Sequence, residues 1–486
     1  MTVITPASVR WAGFAGSVAT AVTAYLGGAG PVRVPSVNPG TLLSGAKGVA
    51  LPLCWLLGTA LLITAWWYGR RVAPSLRWVL VTCALWFLPV LPFLPLGSAD
   101  VYSYACQGWV QRVGGDPYAA GVAGSGCPWV SSVASSWADS PAPYGPLFLL
   151  LAAGAVLFGG TSLDAVIAGL RVIALAGLVL TAWGVPALAR RAGIDPVQAT
   201  WTVLAGPLVL VHLVSGAHND ALLIGLIVAG LAVVPRPARR CAEAPAIGQP
   251  PAVVRGRAVV PLVVAGLLLG LAVSVKATAI VVVPFAVLAV VPPGSALRTL
   301  WRPAVILGGS VVAGAAVVSV LSGRGVGWIG GLLRSGDTVA WTSPSTAVGL
   351  TIETVTGLSA IGVTRAVGVA VLAVLLVWLW WRARRGDALI GAGLALAATV
   401  LCAPVFHPWY ATWPLAVLAA TLPAGTTIGR WLIGLCAFAA TLTTPAGYNW
   451  ALYTRIPGAV LVTVLLLAGL AYLARKPRRR AEEVAP

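Results

Sequence analysis

The sequence is poor in charge, and poorest in acid. Only 9% of its 486 residues are charged, and just 12 of them are Asp or Glu. A soluble chain carries roughly 25% charged residues, so this one lacks the polar surface that a globule needs. Lysine is scarce: Lys47, Lys276 and Lys476 stand among 31 basic residues. Histidine numbers three and cysteine seven, and neither follows metal-ligand spacing, which argues against a zinc centre. No glycine loop of nucleotide-binding type occurs.

What is present is hydrocarbon. Hydrophobic residues make up 59% of the chain, in apolar runs long enough to cross a bilayer. The net charge of +19 comes from arginines gathered in short loops between those runs. That is the positive-inside pattern, and no basic–aromatic groove points to nucleic acid. The clusters are Arg70/Arg71/Arg77, Arg190/Arg191, Arg236/Arg239/Arg240/Arg255/Arg257, Arg298/Arg302, Arg382/Arg384/Arg385 and the run 475–480. Placing each on the cytoplasmic side requires an even number of crossings between neighbours.

The fold class that follows is an all-α polytopic membrane protein with about 14 transmembrane helices, at 11–30, 49–68, 78–97, 165–189, 197–215, 220–235, 259–275, 277–292, 304–321, 365–381, 387–403, 410–424, 430–446 and 457–474. The apolar stretches 146–160 and 346–361 would reverse the arginine loops if they crossed. They are expected to be re-entrant or interfacial. The first apolar run reads as a retained helix rather than a cleaved signal, and both termini fall inside. Residues 1–77 form a transmembrane hairpin, 78–474 the main body with an outer loop at 98–164, and 475–486 a basic tail. Loop 236–258 reads as a cytoplasmic linker.

On this topology seven of the twelve acids lie outside: Asp100, Asp116, Asp139, Asp164, Asp220, Asp337 and Glu353. Acids contribute little to topology, so their gathering suggests an outer site. The stretch 98–118 is the most informative. Read as a helix, it puts Val101, Ala105, Trp109 and Val113 on one face and Ser103, Gln107 and Gln111 on the other, which predicts an amphipathic helix lying along the membrane surface. Asp100 opens it, either as an N-cap or as a partly dehydrated general base. Asp116, before Pro117, is a turn residue or a second catalytic acid. The proline-rich 140–146 is a rigid connector.

Further polar residues interrupt apolar runs. His218-Asn219-Asp220 could bind sugar hydroxyls or phosphate, or form a turn with Asp220 as a cap. His212 is expected to be buried and hydrogen-bonded. Lys276 sits inside an apolar run, where an ionisable group is a functional candidate; it either snorkels to the interface or meets a lipid phosphate. Phe406-His407-Pro408-Trp409-Tyr410 is an interfacial belt or a sugar- and phosphate-binding strip. Cys106 and Cys127 both fall outside, where disulfides persist, and are expected to pair.

Asp100-Val101-Tyr102-Ser103-Tyr104 with Gly115-Asp116-Pro117-Tyr118, Tyr144-Gly145-Pro146, His218-Asn219-Asp220-Ala221-Leu222 and His407-Pro408-Trp409-Tyr410 together resemble the polyprenol-phosphomannose-dependent α-1,6-mannosyltransferases of actinobacterial envelopes, which have the GT-C glycosyltransferase fold. The likeness runs from about residue 78 to 460. It implies a polyprenyl-phosphate-mannose donor, a lipid-linked mannan acceptor of lipomannan type and membrane lipids as surroundings. It implies no metal or other cofactor. It casts Asp100 as the catalytic base and Asp116 as second candidate. Substrate contacts would come from Tyr104, Gln107, Tyr118, Tyr144, His218, Asn219, Asp220, Lys276, His407, Trp409 and Tyr410. A transporter or flippase of lipid-linked sugars, or a GT-C transferase of another sugar, remains the alternative.

Overall fold

A computed structural model describes residues 4–31, 48–236, 258–330, 339–423, 425–447 and 454–475. Asp337, the linker arginines from Arg239 to Arg257 and most of the basic tail lie outside the described residues. Every regular element within them is helical. The longer ones are α1 (Pro6–Gly27), α2 (Ala50–Val72), α3 (Leu76–Phe87), α4 (Asp100–Arg112), α5 (Pro146–Gly159), α6 (Leu163–Ala192), α7 (Pro196–Leu204), α8 (Asp220–Val233) and α9 (Val259–Val273). They continue as α10 (Val283–Leu288), α11 (Trp301–Ser322), α12 (Pro344–Thr356), α13 (Ile361–Ala383), α14 (Ala388–Cys402), α15 (Thr412–Thr421), α16 (Thr427–Ala439) and α17 (Arg455–Arg475).

Five helices among the described residues are long and apolar enough to cross a bilayer: α2, α6, α11, α13 and α17. The chain is thus an all-helical, multi-pass membrane protein. The run expected at 197–215 is a pair of short helices bent by 66°. The runs at 220–235, 259–275 and 387–403 become α8, α9 and α14, of 14, 15 and 15 residues. At 1.5 Å per residue such a helix reaches about 22 Å, less than the hydrocarbon thickness. Irregular backbone continues each run, and in a bilayer that is tolerated only where protein or a cavity covers it. The stretches expected to be too short to span are helices α5 and α12, of 14 and 13 residues.

The expectation for α4 needs correction. It is not a surface helix with one wet face, because Ser103 and Gln107 are as buried as Val101, Tyr102 and Cys106. Helices α5 and α6 pack against it. The loop after it folds back and is fixed by the disulfide Cys106–Cys127, with Cα atoms 5.5 Å apart. Side-chain alternation reports polarity, and here the polar side faces protein.

A buried arginine holds the chain around this helix. Arg171 of α6 donates to the carbonyls of Leu91 at 2.5 Å, Phe93 at 2.6 Å and Ser215 at 3.1 Å. It thereby satisfies carbonyls freed where two helices break, and joins the segment leading to Asp100 to the one leading to His218.

Candidate active site

The two ends of the cluster come from broken helices. After α7 the chain forms a π-helical stretch, Val209–Ser215, a geometry often found at functional sites. Ala217 follows at φ 51°, the one non-glycine residue with positive φ among those described. That left-handed kink turns His218, Asn219 and Asp220 inward, and all three are buried. Backbone strain of this kind persists where the surroundings enforce it.

A second close approach brings up Lys276. The Gly145 N–H donates to the Val275 carbonyl and the Leu147 N–H to the Ser274 carbonyl, both at 2.9 Å. A Cβ on Gly145 would lie 2.3 Å from the Ser274 carbonyl oxygen, so only glycine permits this contact. Tyr144 and Lys276 are thus held on adjoining walls.

Within these walls Lys276 Nζ lies 2.9 Å from Asp220 Oδ1. The Trp413 indole N–H donates to the same oxygen at 2.6 Å. The ammonium sits over three rings: Tyr410 at 4.7 Å, Trp413 at 5.1 Å and Tyr144 at 5.8 Å. Lys276 therefore does not snorkel; it is a buried ion pair with an aromatic cage. Asp220 is not a cap either, because Asn219 occupies the cap position and makes no side-chain cap bond. Trp413 was missed from sequence. Its spacing from Trp409 and Tyr410 puts it on their side of a helical turn, a pattern that an aromatic belt would also produce.

Asp100 stands beside this pair. It is the first residue of α4, while Ala99 takes the cap position, so the cap reading fails. Its N–H donates to the Ser98 hydroxyl. Its carboxylate oxygen lies 3.9 Å from His218 Nδ1, and Asp220 Oδ2 lies 3.9 Å from the same atom. The Tyr104 hydroxyl is 3.2 Å from His218 Nδ1. Burial raises the Asp100 carboxyl to about 6, against the pull of Ser98 and Lys276. Burial, with the nearby His212 and Lys276, pushes His218 well below its usual range, so it is neutral. Its approaches to the carboxylates are therefore dipolar contacts.

Aromatic rings complete the cluster. His407 stacks on Trp409 at 4.6 Å, and Trp409 packs on His218 at 4.0 Å. Burial and Lys276 push His407 down to about 3, so it offers hydrogen bonds rather than a positive charge. Tyr104 meets Tyr144 and Phe148 edge-on. His212 is buried as expected, but neither ring nitrogen has a hydrogen-bond partner among the described residues. The same holds for both polar atoms of the Gln107 and Asn219 side chains.

Two expected residues lie apart. The Asp116 carboxylate is exposed and accepts from the Tyr118 N–H at 2.9 Å, closing a local turn. The buried Tyr118 donates its hydroxyl to the Tyr144 carbonyl. It supports Tyr144 from behind.

The chain matches the family described as alpha-(1->6)-mannopyranosyltransferase, N-terminal domain, over residues 10–292, and the MptB C-terminal domain over 339–472. It belongs to the α-(1→6)-mannopyranosyltransferase family. It is similar to alpha-(1->6)-mannopyranosyltransferase A of Mycobacterium tuberculosis, at 32% identity over 97% of this chain and 91% of that protein. It is also similar to a probable alpha-(1->6)-mannopyranosyltransferase of Mycolicibacterium smegmatis, at 34% over 93% and 83%. A looser likeness is to the archaeal oligosaccharyltransferase AglB from Archaeoglobus fulgidus, with a TM-score of 0.42 and 15% identity over 82% of this chain and 56% of that one. The family match begins at residue 10, so it takes in α1 and α2 as well as the part from residue 78 that carries the motifs. The cluster draws on both matched regions: Asp100, His218, Asp220 and Lys276 from the first, and His407, Trp409 and Trp413 from the second.

Proposed function

We propose that this protein is a polyprenyl-phosphate-mannose-dependent α-1,6-mannosyltransferase of GT-C fold, with about fourteen crossings and its active site on the extracytoplasmic face. The acceptor is a lipid-linked mannan. Asp100 is the general base. The observation that carries this reading is the division of labour between two neighbouring carboxylates. Asp220 is fully buried and spends one oxygen on Lys276 and Trp413. Asp100 keeps 14% of its side chain exposed and has a raised proton affinity. The second, still partly open, is the one placed to take a proton from an incoming hydroxyl.

The chemistry is a single displacement. The acceptor hydroxyl attacks the anomeric carbon of mannose and its proton passes to Asp100. The bond from that carbon to the phosphate oxygen breaks, and the polyprenyl phosphate leaves with the electron pair. A β-linked donor gives an α product by inversion. Phosphate is a good leaving group, so no general acid is needed, and no metal is required. The Lys276 ammonium has three donors, of which Asp220 takes one. The others can meet the leaving phosphate, where charge develops. Asn219, Gln107 and the Trp409 face provide polar and stacking contacts for the sugar. The Cys106–Cys127 disulfide supports an oxidising compartment for this end of the molecule.

The test is transfer from radiolabelled polyprenyl-phosphate mannose in membranes holding the protein, with linkage analysis of the product. α-1,6-linked mannose is expected. Release of label without a new glycosidic bond, or movement of donor across the bilayer without transfer, would favour a lipid-linked-sugar flippase.

A further inference from the structure

A polar cavity lies away from the candidate site, at the end of helix α6. Arg171 of helix α6 touches the segments that lead to Asp100 and His218, and from there the helix runs on to Ala192, about 32 Å at 1.5 Å per residue. Where it ends, a cavity of about 750 Å³ opens, within the size range of small-molecule sites. Five arginines line it: Arg190 and Arg191 from the end of α6, Arg236 after α8, and Arg384 and Arg385 after α13.

Among the described residues the positive charge there is in excess, five arginines against one carboxylate. The carboxylate in the lining is Asp387, which is committed to capping α14 through the N–H groups of Leu389 and Ile390. No ion pair forms in the cavity among the described residues. Arg191 is structural, donating to the carbonyls of Val234, Pro235 and Ala289. Arg384 donates one amino group to the Ser295 carbonyl, while its Nε is buried with no partner among the described residues. Arg190 and Arg385 are exposed and their guanidiniums make no hydrogen bond among the described residues. Arg384 also lies over Trp381 of α13 at 4.6 Å, as Arg70 lies over Trp67 and Arg302 over Trp301 outside the cavity; Arg190 and Arg385 have no such ring contact among the described residues. A positive-inside bias accounts for arginines at this end. It does not account for their convergence from three chain segments on one hollow.

We propose that this cavity is a binding site for a phosphate-bearing ligand, a phosphate monoester or diester, separate from the catalytic cluster. Guanidinium groups present paired donors that match phosphate oxygens, and several of them together bind better than a point charge does. The chemistry is shared by an anionic lipid headgroup and by a soluble phosphate ester. The cavity lies at the end that the arginine clusters assign to the cytoplasm, and either source would reach it there. The inference does not depend on the transferase reading.

The experiment uses the full chain in nanodiscs. Phosphatidylcholine containing a minor share of phosphatidylglycerol tests the lipid source, with retained lipid read by native mass spectrometry. Phosphatidylcholine alone, titrated with inorganic pyrophosphate by calorimetry, tests the soluble source. Arg190→Gln/Arg236→Gln/Arg385→Gln removes three charges from the cavity. Arg70→Gln/Arg71→Gln/Arg302→Gln removes three from the same end outside it. The expected result is saturable retention of phosphatidylglycerol or binding of pyrophosphate by the wild type, weakened at least about tenfold in the cavity variant and unchanged in the control variant. Loss in the lipid arm names a headgroup; loss in the pyrophosphate arm names a soluble ester. Equal weakening in both variants, or no binding by the wild type in either arm, overturns the site. If the cavity variant does not fold, Arg385→Glu at its exposed position is read in the same way, and wild-type binding by it overturns the proposal.

Discussion

Asp220 and Lys276, 56 residues apart in the chain, meet as a buried ion pair with Nζ 2.9 Å from Oδ1. Neither charge can leave without exposing the other. Asp220→Asn strands an ammonium among aromatic rings, and about 3–5 kcal/mol of stability is expected to go with it. Asp220→Asn/Lys276→Met removes both charges and recovers part of that loss. Thermal unfolding in detergent measures both, and a double variant no more stable than the single one would refute the pairing.

The pair bears on catalysis through a neighbour. On the proposed function Asp100 is the base, and Asp100→Asn keeps its shape while removing its proton affinity. Transfer is expected to fall by about 10²–10⁴, with unfolding temperature unchanged. The comparison needs turnover and stability on the same preparation, because an equal drop in both would describe a folding defect.

The pH dependence follows from burial. The Asp100 carboxyl is raised to about 6, and a base works only when deprotonated. Transfer is therefore complete above that pH and falls about tenfold per unit below it. Lys276 lowers the Asp100 proton affinity, so Lys276→Met moves the acidic limb to higher pH. A limb that moved the other way, or not at all, would break the link between the two.

Much of this arrangement was legible beforehand. Asp100, the His218-Asn219-Asp220 triplet, Lys276 and His407 each interrupt apolar surroundings, and polar groups in such places need partners. The partnerships were not legible. Asp220 and Lys276 look alone in sequence because each lies at a helix break whose mate is a different helix. The polar face of α4 misled for a related reason: Ser103 and Gln107 show the spacing of a wet surface, but α5, α6 and the loop pinned by the disulfide enclose them. Helix lengths were overread as well, because the apolar runs at 220–235 and 259–275 continue past the point where the backbone stops being helical.

Arg171 is a positioning residue. Its guanidinium serves three carbonyls in two segments, and lysine has neither the reach nor the fork to replace it. On the proposed function, Arg171→Lys is expected to lower turnover more than donor affinity, because Lys276 and its aromatic cage persist while Asp100 and His218 lose their register. The split between kcat and KM tests this; a change in KM alone would make Arg171 an ordinary structural residue.

The disulfide should be measurable directly. Cys106 and Cys127 are expected to resist thiol labelling in the native protein until reduced. Closing a loop of this length contributes about 3 kcal/mol. Labelling of both residues without reductant would remove the staple.

The two hydrogen bonds that join Gly145 and Leu147 to Val275 and Ser274 make this side of the candidate site a single seam. Tyr144 and the ammonium of Lys276 must travel as one body, so this side cannot act as a door. Whatever enters the candidate site must come in from elsewhere around the rim, and any breathing that admits it belongs to the segments facing the seam.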